Sequence, residues 1–190
     1  MKLISHFILV IILISPTQKL FSQFGESKEM DKFNGYLENK QYEKALNFAN
    51  NLIKADSTDY LGYYNRGVVY SKRGANDRSE EDYKIAAKDF QQSIKLNPNF
   101  TASYINLGDA YSHYDYLDKA EAEYRKALKL DSTLAMGYNN IGYIKSLYGY
   151  HYSAIDYYNK CLHYDNKHKR AYINKSISLV ELGNIKEALK

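Results

Sequence analysis

Apolar residues in the middle of the chain recur with the spacing of a helix face. Four residues of segment 101–112 fall at i, i+3, i+4 and i+7: Tyr104, Leu107, Gly108 and Tyr111. A second helical stripe follows after a short polar stretch: Leu117, Ala120, Tyr124, Ala127 and Leu128. Between them, Asp115 is predicted to be the N-cap of the second helix. The pattern predicts a helical hairpin.

This hairpin pattern repeats along the chain with a period of 34 residues. Three tyrosines are separated by that interval: Tyr104, Tyr138 and Tyr172. Four alanines follow the same step: Ala86, Ala120, Ala154 and Ala188. A fixed period of this length is typical of a repeat array in which each hairpin stacks on its neighbours.

One insertion interrupts the period upstream. Tyr63 and Tyr104 are 41 residues apart, and so are Ala45 and Ala86. Seven extra residues at about 75–82 account for both departures. The sequence leaves open whether this insertion is a binding loop or a longer hairpin.

The repeated motif resembles the tetratricopeptide repeat. The third unit carries the resemblance as Tyr104-x-x-Leu107-Gly108-x-x-Tyr111, followed by Ala120-x-x-x-Tyr124. Tyr stands throughout where the family pattern has Trp. Glycine in a helix costs about 1 kcal/mol relative to alanine. We therefore expect the glycine to be needed for close packing of the paired helix.

Some units depart from the family pattern. Arg66 occupies a position where Leu is expected, and Lys145 replaces the second Tyr of the fourth unit. The first unit is degenerate in its first helix, where Glu29 and Phe33 stand in place of Tyr and Gly. The resemblance nevertheless extends over about 26–190.

The resemblance implies an all-α fold, a right-handed α-solenoid of about four and a half stacked antiparallel hairpins over residues 23–190. The expected units are about 26–59, 60–100, 101–134, 135–168 and an incomplete 169–190. The last unit stops one turn into its second helix. This is either a natural half-hairpin or the edge of a longer protein.

Residues 1–22 have the pattern of a secretory signal peptide. Lys2 precedes an apolar run from Leu3 to Ile14, which ends at Ser15 and Pro16. The run is shorter than the roughly 20 residues that cross a bilayer, so we expect no permanent membrane span. The expectation is cleavage and export to the periplasm or beyond. The alternatives are an uncleaved signal anchor that tethers the protein to the membrane, and a buried N-terminal helix.

Composition narrows the function further. Removal of the signal peptide leaves 24 basic and 22 acidic residues, a balance that gives no electrostatic reason to expect nucleic acid. The single cysteine, Cys161, excludes an intrachain disulfide. The sequence lacks a Gly-rich phosphate loop, a G-x-S-x-G elbow, an H-E-x-x-H motif and paired cysteines. We therefore predict no catalytic residue, no metal site and no cofactor.

The resemblance implies that the first helix of each hairpin lines the concave side of the array, which we call the groove. Four asparagines share one position in it: Asn65, Asn106, Asn140 and Asn174. In some family members this amide binds the backbone of an extended peptide, and an amide can both donate and accept. A purely structural role is the alternative. The other residues expected to face the groove are mostly apolar: Leu61, Tyr64, Val68, Ile105, Met136, Asn139, Tyr143, Leu147, Ile173 and Ile177.

These features predict a non-catalytic scaffold or adaptor that binds a protein or peptide segment. An apolar groove suits an extended segment or an amphipathic helix. Some family members grip a terminal carboxylate with Lys and Arg, but Arg170 is the only basic residue at the corresponding positions, which disfavours such a clamp. Two alternatives stay open: self-association through the groove, and a sensory or docking region of a larger signalling or regulatory protein.

Overall fold

The structure is a computed structural model that describes residues 26–188. The signal peptide predicted at 1–22, and with it the signal-anchor alternative, lies outside the described residues. The described part contains ten helices. They are α1 (Glu26–Glu38), α2 (Tyr42–Ala55), α3 (Tyr60–Asp77), α4 (Glu80–Leu96), α5 (Thr101–Ser112), α6 (Leu117–Leu130), α7 (Ala135–Leu147), α8 (His151–Tyr164), α9 (Lys169–Glu181) and α10 (Ile185–Ala188).

Consecutive helices pack as hairpins, and each hairpin stacks on the next. The predicted all-α, right-handed α-solenoid is confirmed. One buried cluster illustrates the stacking: Ile105 of α5, Tyr124 of α6 and Ile141 of α7 pack together. Because each cluster draws on neighbouring hairpins, a unit buries its apolar surface only against its neighbours, as in other repeat proteins.

The turn inside each hairpin contains one residue in the left-handed region of backbone space. These residues are Lys40, Arg78, Asp115, Gly149 and Gly183. The prediction that Asp115 caps α6 is therefore wrong. Asp115 has φ of 59°, and the N-cap is Tyr116, whose side chain makes no capping hydrogen bond. The chain must reverse direction here, and a polar Asp tolerates the left-handed conformation better than most residues.

The tyrosines that replace the family's Trp make a recurrent hydrogen bond. In the third, fourth and fifth units the hydroxyl of this tyrosine donates to the carbonyl oxygen six residues earlier, in the turn between units. The bonds run from Tyr104 to Pro98 (2.9 Å), from Tyr138 to Ser132 (3.0 Å) and from Tyr172 to Asn166 (3.1 Å). A Trp ring has its donor elsewhere, so this bond is a consequence of the substitution.

The insertion lengthens the second hairpin. Helices α3 and α4 have 18 and 17 residues, whereas the pair α5 and α6 has 12 and 14. The question left open by the sequence is thus answered in favour of a longer hairpin. Its end is fixed by Arg73, which donates to both carboxylate oxygens of Asp82 at 2.7 and 2.8 Å.

The departure at Arg66 also has a structural partner. Its guanidinium donates to both oxygens of Asp89 on α4, at 2.8 and 2.7 Å. Asp89 is buried. An ion pair thus stands where the family pattern has an apolar contact between the two helices.

Candidate functional site

The groove asparagines are placed by the first helices of successive hairpins. Asn65 lies on α3 and is only 5% exposed. Asn106, Asn140 and Asn174 lie on α5, α7 and α9 and are half-buried. Asn65 therefore offers little surface to a ligand, whereas the other three border the groove.

The amide groups link each first helix to the one before it. Asn106 donates to the hydroxyl of Tyr64 at 3.2 Å. Asn174 donates to Oδ1 of Asn139 at 3.3 Å, and Asn139 donates to Oδ1 of Asn140 at 3.1 Å. The bonds made by Asn106 and Asn174 join neighbouring units, whereas the bond between Asn139 and Asn140 lies within α7.

The amide donors are thus engaged within the array. The side-chain oxygens of Asn106 and Asn174 accept no hydrogen bond from residues 28–188. They are free to accept an N–H from a bound segment. That asparagines bind a peptide stays a prediction.

Several residues predicted to line the groove pack inside the array instead. Ile105 is only 6% exposed because it lies in the cluster with Tyr124 and Ile141. The prediction that Ile105 lines the open groove is therefore wrong. Tyr64 and Val68 are half-buried against the cluster of the second hairpin. The early part of the groove therefore presents little apolar surface.

The fourth and fifth units, in contrast, expose apolar side chains. Tyr143 and Leu147 of α7 are 48% and 53% exposed, and Ile173 of α9 is 59% exposed. Met136 and Ile177 are also exposed. An apolar hollow of about 510 Å³ includes Ile173 and Ile177 and lies between α9 and α10. The apolar surface of the groove is thus concentrated in its C-terminal half.

A second, more polar hollow of about 350 Å³ lies between the third, fourth and fifth units. It is lined by Asp109, Ser112, His113, Tyr124, Met136, Asn140, Tyr143 and Arg170. The Tyr124 hydroxyl and the Asn140 amide both donate to Oδ1 of Asp109, at 2.7 and 2.9 Å. Asn140 thus lines this hollow and is also one of the four groove asparagines.

Burial controls the titration of these groups. It raises the pKa of Asp109 above its ordinary value, against the opposing effects of Tyr124, His113 and Arg170. Burial also lowers the pKa of His113, although Asp109 acts in the opposite direction. The His113 ring stacks on Tyr83 with centroids 4.0 Å apart. The imidazole is therefore mainly neutral at neutral pH.

Asp109 is not among the residues predicted from the sequence, although the repeat pattern contains a signal for it. Its register position in neighbouring units is occupied by Val68, Tyr143 and Ile177, all expected to face the groove. Asp109 is the acidic member of this otherwise apolar series. A carboxylate at a groove position that is elsewhere apolar could have been singled out from the 34-residue period alone.

The other titratable side chains of the described residues form no recognisable metal or catalytic site. Within residues 26–188, no group of three or more His, Cys, Asp or Glu is arranged to hold a metal ion. No helix in the same stretch combines the length and hydrophobicity needed to cross a bilayer. Cys161 is buried, and burial raises the pKa of its thiol to about 11.

Comparison with known proteins identifies the repeats. Residues 101–134 and 137–168 each match the family model described as tetratricopeptide repeat. The third and fourth units therefore match the tetratricopeptide repeat, and the resemblance inferred from Tyr104, Gly108 and Tyr124 is confirmed.

Curated relatives share limited stretches with the chain. It is 30% identical over 103 residues to Hsp70-Hsp90 organizing protein 3 of Arabidopsis thaliana, covering 54% of this chain and 17% of that protein. It is 27% identical over 113 residues to tetratricopeptide repeat protein 6 of Homo sapiens, covering 42% of this chain and 22% of that protein. The chain thus spans less than a quarter of the length of either relative.

Solved structures match the fold over most of the chain. The crystal structure of MamA protein superposes with a TM-score of 0.68 at 21% identity, covering 84% of each chain. MamA from Desulfovibrio magneticus RS-1, residues 41 to the end, gives a TM-score of 0.69 at 17% identity, covering 84% of this chain and 86% of that one. At this identity the likeness establishes the shared fold.

Proposed function

We propose that this protein is a non-catalytic scaffold that binds a protein or peptide segment in the groove of its repeat array. The observation that carries the proposal is the exposed apolar surface of Tyr143, Leu147 and Ile173 on α7 and α9. Exposed apolar side chains grouped on successive first helices favour an interaction site. The tetratricopeptide repeats of the third and fourth units support the same reading.

The bound segment has apolar side chains, either in an extended chain or along one face of a helix. The exposed side chains of α7 and α9 supply apolar contact. The free side-chain oxygens of Asn106 and Asn174 supply acceptors for backbone N–H groups. Together they bind main chain and apolar side chains without requiring one specific sequence.

The affinity of a partner that copurifies with the chain tests this function. Replacing Leu147 and Ile173 together by Ser removes two apolar contacts and is expected to weaken binding by about tenfold or more. The matched control is Tyr152→Ser on α8, a second helix, where the side chain is 72% exposed. Equal affinities for the double variant and the control would contradict groove binding.

The asparagine mechanism has a separate test. Asn106→Ala combined with Asn174→Ala removes two free acceptors and should lower affinity for the same partner. If affinity is unchanged, the amides serve only the stacking of units, and the apolar contacts remain as the basis of binding.

We also propose that the protein is exported after removal of residues 1–22. The support is the basic start and short apolar run of that segment. N-terminal sequencing of the protein from the cell envelope should begin after the apolar run. Recovery of Met1 would favour the tethered form instead.

A second candidate function is a docking region of a larger signalling or regulatory protein. The observation in its favour is that the chain spans less than a quarter of the two curated relatives described above. Reading the gene beyond codon 190 decides between the two. A stop codon there would end this alternative.

A further inference from the structure

The polar hollow between the third, fourth and fifth units contains a carboxylate with one unused oxygen. Both donors that reach Asp109 bind the same atom, Oδ1, from Tyr124 and from Asn140. Oδ2 accepts no hydrogen bond from the described residues, and Asp109 lines the hollow. At the wall of this hollow the carboxylate therefore keeps one acceptor that no described residue uses.

The groups that hold Asp109 are themselves fixed. The Asn140 amide oxygen accepts a bond from Asn139 at 3.1 Å, and Asn139 is buried. The Tyr124 ring is buried, and its hydroxyl lies 3.3 Å from Oγ of Ser112. A carboxylate positioned by rigid partners binds a ligand without an added cost of ordering it.

The open side of the hollow has apolar and aromatic walls. Met136 and Tyr143 line it and are both exposed. An alkyl chain can pack along these side chains while its charged end reaches Asp109, as long basic side chains do on protein surfaces. The face of a tyrosine ring also attracts a cation.

We infer that this hollow is a subsite for a basic side chain, the ammonium group of a lysine or the guanidinium of an arginine, carried by the segment bound in the groove. The nitrogen donates to Oδ2 of Asp109, and the aliphatic stem lies against Met136 and Tyr143. The inference rests on the proposed segment-binding function and names one chemical feature of the segment. It is distinct from a carboxylate clamp, in which Lys and Arg side chains rather than a carboxylate hold the ligand.

The charges around the hollow decide how such a group binds. On α5, Asp109 attracts the cation and His113 is mainly neutral because burial lowers its pKa. On α9, Arg170 carries a positive charge, is exposed and makes no ion pair with the described residues. Burial raises the pKa of the Tyr124 phenol, so this group adds no charge at neutral pH. Arg170 therefore opposes the cation, but its exposed position lets solvent and salt screen the repulsion.

Two substitutions then have opposite effects. Asp109→Asn keeps the shape of the side chain and removes the charge, so a basic ligand loses its main attraction. Arg170→Gln removes the opposing charge. An acidic ligand would show the reverse order, which makes the pair of variants diagnostic of the sign of the ligand.

The test uses the purified chain and three short peptides, acetyl-Ala-Lys-Ala-amide and its norleucine and glutamate counterparts. Binding is followed by NMR at the Asn140 side-chain amide and the Met136 methyl group. The lysine peptide is expected to shift both signals saturably, and the norleucine peptide to bind at least about tenfold more weakly. Asp109→Asn should weaken the lysine peptide by about tenfold, and Arg170→Gln should strengthen it by about twofold to fivefold.

Three results would overturn the subsite: absence of saturable shifts with the lysine peptide, unchanged affinity in Asp109→Asn, or preference for the glutamate peptide that Arg170→Gln abolishes. Thermal unfolding of both variants confirms that the array is intact. A negative result in the peptide experiment would not change the expected effect of the Leu147 and Ile173 substitutions on partner affinity. If the Leu147 and Ile173 substitutions leave partner affinity unchanged, the proposed function is overturned, while the peptide shifts at Asn140 and Met136 still test the subsite.

Discussion

Gly108 of α5 lies directly against the ring of Tyr124 on α6. A methyl group added at Gly108 would lie 2.5 Å from Cε1 of Tyr124 and 2.8 Å from Cδ1, closer than carbon atoms approach without displacement. The ring is buried and its hydroxyl is tied to Asp109, so it has little room to move. The glycine is thus required by packing between the paired helices.

Gly108→Ala should therefore destabilise the array in spite of the better helix propensity of alanine. The propensity gain is about 1 kcal/mol, whereas overpacking costs about 1–3 kcal/mol, so the net change is a loss. Urea unfolding measures it. The matched control is Gly35→Ala in α1, where nothing lies within 4 Å of the added methyl group, and stability should stay equal or rise. Equal effects at the two glycines would contradict the packing explanation.

The pair Arg66 and Asp89 gives a second stability prediction. Arg66→Ala leaves the buried Asp89 carboxylate without its bidentate partner and should cost about 3 kcal/mol. Replacing both residues by Leu, which the family pattern has at the first position, should recover most of that loss. The control Lys84→Ala breaks an exposed pair with Glu80 and should leave the thermal midpoint unchanged. A double variant no better than Arg66→Ala would refute this account of the pair.

These cases show how far the sequence determines the structure. The 34-residue period predicts the hairpins and the close packing at Gly108, because both depend on spacing alone. The period does not predict the pairing of Arg66 with Asp89, since the two residues are 23 positions apart and only the packed hairpin brings them together. It also misplaced Ile105, because a groove-facing register position becomes core where the next unit packs over it.

The polar hollow illustrates the same limit. Asp109, Asn140 and Arg170 come from three different units, and no local pattern groups them. From the sequence, Asn140 is predicted as a peptide contact, and Arg170 is the single basic residue at the expected clamp positions. Only the stacking of units places both beside Asp109.

Asp109 makes stability depend on pH. Its pKa in the native state is raised above the ordinary value of 3.8, mainly by burial. The native state therefore binds this proton at a higher pH than the unfolded chain. The contribution of Asp109 to the free energy of unfolding falls as pH rises from the ordinary value through the raised one.

Urea unfolding across that pH window, compared between the wild-type chain and Asp109→Asn, isolates the effect. Over this pH window, the free energy of unfolding of Asp109→Asn should fall less with rising pH than that of the wild-type chain. His113 titrates beside Asp109, so His113→Gln serves as a control for its separate contribution. Parallel pH profiles in the wild-type chain and Asp109→Asn would show that the carboxyl does not titrate as described.

Cys161 provides a probe of the packed array. Its side chain is buried and the pKa of its thiol is raised to about 11, so little thiolate forms at neutral pH. A thiol reagent should label the native protein only as fast as the fourth hairpin opens. The labelling rate should rise steeply with urea. Rapid labelling in the absence of urea would contradict the burial of this position.

Site-specific photocrosslinking in living cells tests segment binding in the groove most directly. A photoreactive residue is placed in turn at Tyr143, Leu147 and Ile173, and at Tyr152 of α8 as the control outside the groove. The account predicts that one foreign protein crosslinks repeatedly at the three groove positions and not at Tyr152. Crosslinks that join only copies of this chain, or that occur equally at Tyr152, would contradict it.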